Sequence, residues 1–475
     1  SLFDMKDGIA DDILMTPGQP NILRGPNGFE WWLIYMANKN NEHRGQYINR
    51  VQFFDKTLFV DGITSPRTMG YHPEPSMPTF AGKGETASFG VLQQVQPSVA
   101  YLFETGVKTE GGAGIVAWWK DADNCAYVGL DAENRSWYLR TLVGGKENKE
   151  SYALPEDFRW GVYHHLRIER NGGCLKIWLD EIPAPGRHVF AEALPVEEAG
   201  VPGVFDETKS ALFEGATYTI GFDDVHFQLS GNEELLKGDF LNDYELSFQL
   251  SGLSGQDKAG SYPVYVDKDN YVKAQFDGIT RMLEVTAVKK GKTAWKKEFP
   301  LGCLQTLYPD VKYTDFIEKG YRFAAPAWLD TLYLNRHEAG NKSEFVDDMF
   351  GKFDIEYLNG GEWHPIENKD RGIAEHPAYN YCTFTPVKAE GIRFINKEAE
   401  DLERHIYKIG VHELWKESYN FRAVRRADKL YLFVDGRELG ALDIRYPASR
   451  IGFCSEGGSP VYSGTLYYHV GQRRD

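Results

Sequence analysis

The sequence predicts an all-β protein made of several packed sheets, and three observations carry that expectation. A strand, a D-x-D-N turn and a second strand occur twice, as "AGIVAWWKDADNCAYVGLD" from Ala113 to Asp131 and "AGSYPVYVDKDNYVKAQFD" from Ala259 to Asp277. A "PNG" turn leads into the apolar strand "EWWLIYM" near the start. Aromatic residues make up 14% of the chain, and β-rich proteins use such rings to fill pleated faces. Most of these rings are expected in cores; the sharper use, stacking on sugars, falls to a minority.

Size and charge narrow the function classes. At 475 residues the chain exceeds one ordinary core, so three or four domains are expected. A net charge of -16 argues against nucleic acid, whose phosphates need a basic surface. No apolar run approaches the roughly 20 residues that span a bilayer. The opening "SLFDMKDGIADD" has neither a basic leader nor an apolar core, so it is not read as a signal peptide. A mature form or a start lying upstream is expected. Cys125, Cys174, Cys303, Cys382 and Cys454 form no C-x-x-C pair, which speaks against a zinc ribbon or redox dithiol. Their odd number excludes complete internal pairing, and scattered buried thiols are expected.

In chain order, residues 1–85 hold three or four antiparallel strands. These are "EWWLIYM", then "QYINRVQFFD" and "TLFVDG", followed by the extended, Pro-rich connector "YHPEPSMPTF". One such sheet is not stable alone in water and needs partners on its faces. Next comes the repeat. Asp121, Asp123, Asn124 and Asp131 correspond to Asp267, Asp269, Asn270 and Asp277 at an offset of 146, and a third strand follows each pair ("SWYLRTL", "RMLEVTAV"). A further match aligns "YHHLRIERNGGCLKIWLDEIP" from Tyr163 with "YNFRAVRRADKLYLFVDGREL" from Tyr419, at an offset of 256. The second copy therefore carries 256 − 146 = 110 extra residues between its halves, enough for an inserted domain. The "DADN" and "DKDN" turns offer oxygens that a structural calcium could use. Hairpin turns select the same residues, and their presence in both copies favours that plainer role.

These copies resemble the concanavalin A-like (laminin-G-like) jelly-roll sandwich, on "LYLFVDGREL", "LKIWLDEIP" and the closing strands "YTIGFDDVHFQL" and "RIGFCSEGGSPVYSGTLYYHVG". One jelly roll is expected over 86–232 and a second over 236–300 joined to 416–475. The intervening 301–415 contain "GKFDIEYLNGGEWHPIEN" and "TFTPVKAEGIRFINKEAEDLERHIYKIGVHELW", which resemble a discoidin-like β-sandwich. The termini of such a module lie close together, so it can interrupt a host loop. Residues 1–85 resemble the last blade of the five-bladed propeller of glycoside hydrolase family 43. Gly18-Gln19-Pro20, "GPNGFEWWLIYMAN", Arg44-Gly45, "INRV" and "FVDGITSP" follow that blade's order over about 65 residues. The predicted fold class is thus all-β: a partial propeller blade, two jelly rolls, and a discoidin-like sandwich interrupting the second.

That resemblance implies site residues one by one. The family often has a His where this chain has Gln19, on the propeller axis near a metal ion or water; an amide oxygen is the poorer metal ligand, so the identity of any metal stays open. The family's pocket Arg matches Arg44, which is read either as a sugar contact or as a plain loop Arg. Of the adjacent Trp31 and Trp32, one should face each side of the sheet, and at least one should be core. The family's inverting chemistry needs a base Asp and an acid Glu about 6.5–9.5 Å apart, with a further Asp tuning the acid. These sit on earlier blades in the family, and Glu30, Glu42 and Glu74 do not lie in its acid motif, so no catalytic residue is assigned in this chain.

The resemblance implies the C-terminal portion of a glycosidase, arabinofuranosidase- or xylosidase-like, acting on plant or host polysaccharide side chains. It implies no required cofactor, poly- or oligosaccharide as partner, and earlier blades from the same or a separate chain. It also implies a secreted, periplasmic or cell-surface location in a bacterium. The alternative is a non-catalytic glycan-binding or scaffold protein, since three sandwich modules are more typical of adhesion. A catalytic jelly roll is disfavoured by the lack of an E-x-D-x-E-type strand.

Overall fold

Strands dominate the computed structural model. It describes residues 14–39, 43–54, 57–60, 74–82, 85–86, 90–92, 94–184, 189–253, 257–278, 280, 282–301, 304–307, 319–335, 349–367, 369–373, 379–396, 408–415 and 418–471. Among these the helical structure is a single 3-10 turn, Met349–Lys352, and no helix is long and apolar enough to cross a membrane. The protein is all-β, with its strands packed as several sandwiches.

The N-terminal strands β1 (Leu14–Arg24), β2 (Trp31–Lys39), β3 (His43–Phe54) and β4 (Thr57–Val60) form a four-stranded antiparallel meander in the order β1-β2-β3-β4. Paired residues share a face, so Trp32, Arg50 and Leu23 point one way, and Trp31, Val51 and Arg24 the other. Trp32 is buried and Trp31 half-buried.

Each repeat copy supplies two layers. The first copy's outer sheet has five strands, ordered Lys146–Ala153, Ser136–Val143, Asn124–Asp131, Ala113–Asp121 and Val201–Asp206. The second copy's outer sheet has six, running from Glu233–Leu241 to Lys292–Pro300. Their inner layers are one continuous sheet. Strand Leu212–Gln228 of the first copy pairs antiparallel with Val461–His469 of the second, from Gly221 opposite Tyr468 to Gln228 opposite Val461. Ten strands follow one another across this joint. A single apolar core runs beneath, from Trp118 and Ile168 in the first copy to Phe248 and Phe421 in the second.

Equivalent hydrogen bonds reveal the true register of the duplication. His165 N donates to Asp180 Oδ1 at 2.7 Å, and Asn420 N to Asp435 Oδ1 at 3.0 Å. Buried Arg170 and Arg425 play matching parts, each donating from Nε to the carbonyl two residues on and from its terminal nitrogens to further carbonyls. These pairs lie 420 − 165 = 435 − 180 = 425 − 170 = 255 residues apart, not 256. Tyr163 therefore corresponds to Ser418, and the Tyr-for-Tyr match with Tyr419 is one residue out of register. A one-residue slip would turn every side chain to the wrong face, so the hydrogen bonds decide. The extra length of the second copy becomes 255 − 146 = 109 residues.

Between Leu304 and Trp415 the chain builds a sheet of its own, seven strands around the long pair Tyr321–Asn335 and Tyr379–Asn396. Bulges interrupt that pairing between Arg322 and Ala327 and between Leu329 and Thr331, which lets two long strands bend around a core. That core, including Leu329, Phe353, Ile392 and Phe394, shares no residue with the core of the jelly rolls. Cys125, Cys382 and Cys454 are buried, Cys174 is half-buried, and all four are free thiols; Cys303 lies outside the described residues.

Both D-x-D-N turns use their own oxygens. Asp121 Oδ1 accepts from Asp123 N and from Asn124 Nδ2, and Asn124 Oδ1 accepts from Gly144 N. Asp267 and Asn270 repeat the pattern, with Lys290 N as the last donor. These bonds hold Asp121 and Asp267 below the usual carboxylate range. Among the described residues no group of three or more His, Cys, Asp or Glu is placed to hold a metal ion.

Candidate functional site

The blade meets the jelly rolls through its first turn. Asn27 Oδ1 accepts from the backbone N–H of Phe29 (3.1 Å) and Glu30 (3.0 Å), closing the "PNG" turn, while Gly28 adopts φ 78°. A Cβ on Gly28 would lie within 2.9 Å of the Leu102 side chain, so glycine also permits the close approach. Phe29 then stacks on Tyr468 at 6.0 Å and packs with Leu102 and Val470.

Behind this turn lies a buried charged cluster shared by the blade and both jelly rolls' common sheet. Arg50 reaches Glu245 at 2.8 Å, donates to Tyr468 Oη at 2.6 Å, and lies 3.8 Å from Glu30. Glu30 in turn accepts from Tyr468 Oη, Trp32 Nε1 and the backbone N–H of Ser76. Burial pushes the Glu30 carboxyl up despite Arg50, and the charge of Glu245 adds to that push. Glu245 goes the other way: burial opposes ionisation, but Arg50 and Arg422 hold it below its ordinary value. Arg50 stays protonated, because Glu245, Tyr468 and Glu30 outweigh its burial.

Glu30 is 2% exposed and accepts from Tyr468, Trp32 and Ser76, so it braces the junction. The sequence carried a faint sign of this. Arg50 is a charge in the middle of the apolar run "YINRVQFF", on the same face as Trp32. A second link lies at the other side of the turn, where Arg24 makes a two-pronged contact with Glu181 at 3.0 and 3.3 Å and rests 4.9 Å from the Trp31 ring.

The two residues singled out by resemblance lie at the opposite end of the blade. Gln19 is exposed, with φ 51°, inside the bulge that separates the Gly18–Met36 and Asn21–Ile34 pairs. Arg44 lies opposite Asn38 on β3, and its side chain is outside the described residues. Strand β2 runs between them, so the sheet brings both to one end without placing them in contact in any described way. Glu74 is exposed, and Glu42 falls outside the described residues. A crevice lined by Phe29, Glu169, Cys174, Lys176 and Phe222 has a volume of only about 10 Å³, room for a water and not for a sugar.

The blade exposes large apolar residues on both faces, beside polar ones such as Asn21 and Gln46 on the Trp32 side. Leu23 and Ile48 are exposed on the Trp32 side, and Ile22, Phe53 and Leu58 on the Trp31 side, all between 40% and 50%. Five of the twelve exposed large apolar residues among those described thus fall in this one small sheet.

No protein-family model matches the sequence, and no curated protein matches it. Solved structures give remote likenesses. A carbohydrate-binding module, CBM66 from Bacillus subtilis, is 13% identical over 43% of this chain and 96% of its own, with a TM-score of 0.22. The GH43 protein BlXynB from Bacillus licheniformis is 13% identical over 46% of this chain and 55% of its own, with a TM-score of 0.21. A β-fructofuranosidase from Aspergillus kawachii is 9% identical over 98% of this chain and 72% of its own, with a TM-score of 0.26. Likenesses this remote transfer no residue role.

Proposed function

We propose that this chain is the C-terminal portion of an inverting glycoside hydrolase, exported by a bacterium and directed at polysaccharide side chains of the arabinofuranoside or xyloside type. The observation that carries the reading is the blade. Its sequence follows the last blade of the family 43 propeller, and its apolar residues are exposed on both faces. A propeller blade has a neighbour on each side, so both of its faces are apolar, whereas an edge-of-domain sheet has one solvated face. The buried Glu30–Arg50–Glu245 cluster then fixes the blade's angle against the jelly rolls. In this reading the base, the acid and the tuning Asp come from the other blades. Arg44 is a sugar contact, and Gln19 holds the axial position with an amide in place of an imidazole.

The test is turnover of an aryl arabinofuranoside and an aryl xyloside by residues 1–475 alone and by the same chain joined to its preceding blades. Hydrolysis only by the joined protein is expected. Turnover by residues 1–475 alone would place the catalytic carboxylates in this chain and overturn the assignment. Glycan binding without hydrolysis by the joined protein would favour the scaffold alternative.

A further inference from the structure

The two jelly rolls share a backbone plan, so differences between their outward faces report on use and not on folding. One cross-strand row makes the point. In the first copy it reads Phe205, Gly114, Gly129, Tyr138 across four adjacent strands. The equivalent row in the second copy is Cys454, Gly260, Gln275, Glu284. Gly114 and Gly260 are a requirement of the fold, since a Cβ on either would lie within 2.2 Å of a backbone carbonyl on the next strand. Gly129 is different. The nearest atoms a Cβ there would meet belong to side chains, the Tyr138 ring at 2.6 Å and the Phe205 ring at 2.8 Å, and the second copy has glutamine at the same place. The glycine is therefore present so that two rings can lean in and lie over the sheet.

The next row adds Tyr127, whose ring meets Phe205 edge-on at 5.3 Å, and beside it Arg140. Tyr127 and Phe205 are half-buried, while Tyr138 is nearly covered and serves as the floor. Arg140 pairs with Glu147 at 3.0 Å along one side of the strip, and Lys149 lies 4.2 Å from the Tyr138 ring. In the second copy the equivalents of Tyr127 and Arg140 are Lys273 and Thr286. There the outward rings Tyr262, Tyr265 and Tyr271 pack on one another, Lys273 lies over the Tyr262 ring and pairs with Glu456, and Lys296 pairs with Glu284 and Glu298.

We infer that the outward face of the first jelly roll is a saccharide-binding surface, with Tyr127 and Phe205 as stacking platform and Arg140 and Glu147 as the polar arm. The chemistry matches on two counts. A pyranose or furanose presents an apolar C–H face to a ring and vicinal hydroxyls at its edge, and an Arg–Glu pair offers adjacent donors and acceptors to such hydroxyls. A polyanion is a poorer fit, because the chain as a whole carries a charge of -16. The inference rests on the carbohydrate-active reading above and gives it a location that is independent of the propeller.

The experiment is affinity electrophoresis of the full 475-residue chain in gels containing soluble arabinoxylan, arabinan or levan, with far-UV circular dichroism and a melting curve for each variant. Retardation of the wild-type chain by at least one of these polymers is expected. Tyr127→Ala and Phe205→Ala should each weaken it at least ten-fold, and Gly129→Gln should abolish it by driving the rings apart. Thr286→Ala, at the equivalent place in the second copy, should leave it unchanged. If Gly129→Gln does not fold, the two outward-facing ring variants still decide. Equal retardation of wild type, Tyr127→Ala and Phe205→Ala would sink the surface while leaving a carbohydrate-binding chain. Absence of retardation by all three polymers would also sink it, whereas the hydrolase reading stands or falls separately on the turnover of the joined protein.

Discussion

At the scale of single residues, Glu181 is the most informative departure from the repeat. Its equivalent in the second copy is Gly436, and both occupy the left-handed region, with φ 62° and 79°. A side chain there costs about 1 kcal/mol, which glycine avoids. The first copy accepts that strain at the position from which a carboxylate reaches Arg24 on the blade and His165 beside it, at 3.0 and 3.2 Å. The contact is exposed, so its contribution to global stability is small. Glu181→Gly is therefore expected to leave the melting temperature of the jelly rolls unchanged or slightly raised, while amide exchange in β1 and β2 speeds up. Unchanged exchange in the blade would mean that Glu181 is only a turn residue. Trp32 and Trp31 behave as strand alternation requires, whereas Glu30 beside them is buried, its carboxyl pushed up by that burial, and the sequence hinted at this only through the charge of Arg50.

At the scale of the element, the blade depends on one guanidinium. Removing Arg50 leaves buried Glu30 without its cation and Glu245 with Arg422 alone, and breaking a buried pair in this way costs about 3–5 kcal/mol. Arg50→Met should lower the urea midpoint of the whole protein and release the blade to proteases first; a midpoint within experimental error of wild type would contradict the assigned role. The cluster also predicts a pH dependence. Glu245 has a lowered folded-state pKa, so its contribution is present above the ordinary carboxylate value of 4.5 and is lost as pH falls through the lower folded value. Glu30 has a raised value and acts in the opposite sense: its ionisation becomes a cost as pH rises from 4.5 through its folded pKa. Stability of wild type minus that of Glu245→Gln should thus shrink on acidification below 4.5, whereas wild type minus Glu30→Gln should become more negative on moving up from 4.5. Urea titrations across that range read both differences, and parallel curves for all three proteins would refute the coupling.

At the scale of the whole molecule, the joint between Leu212–Gln228 and Val461–His469 turns two jelly rolls into one body. A continuous sheet over a continuous core leaves no plane along which one copy can open without exposing the other. The insert has a separate sheet and a separate core, and neither shares a strand or a core residue with the jelly rolls among the described residues. Calorimetry should accordingly resolve two transitions, one for the insert and one for both jelly rolls together. Two distinct transitions for the two jelly rolls, with hydrogen exchange assigning them to 100–220 and 244–300, would contradict a shared core.

Much of this was legible from residue order, because the information is local. Alternation, D-x-D-N turns and the 146-residue offset are short-range patterns, and they determined the all-β class and the duplicated jelly roll. The second offset reads one residue too long when the two tyrosines are aligned, and the equivalent hydrogen bonds of Asp180 and Asp435 and of Arg170 and Arg425 set it at 255. What the tertiary structure alone decided is long-range. Glu245 stands 195 residues from Arg50 and Tyr468 stands 418 away, so no pattern in either segment announces their meeting. The same holds for Phe205 and Tyr138, which share a row only because a sheet brings distant strands side by side over two glycines. Local sequence sets what each strand can be; which charges and rings end up facing one another is settled by how the sheets pack.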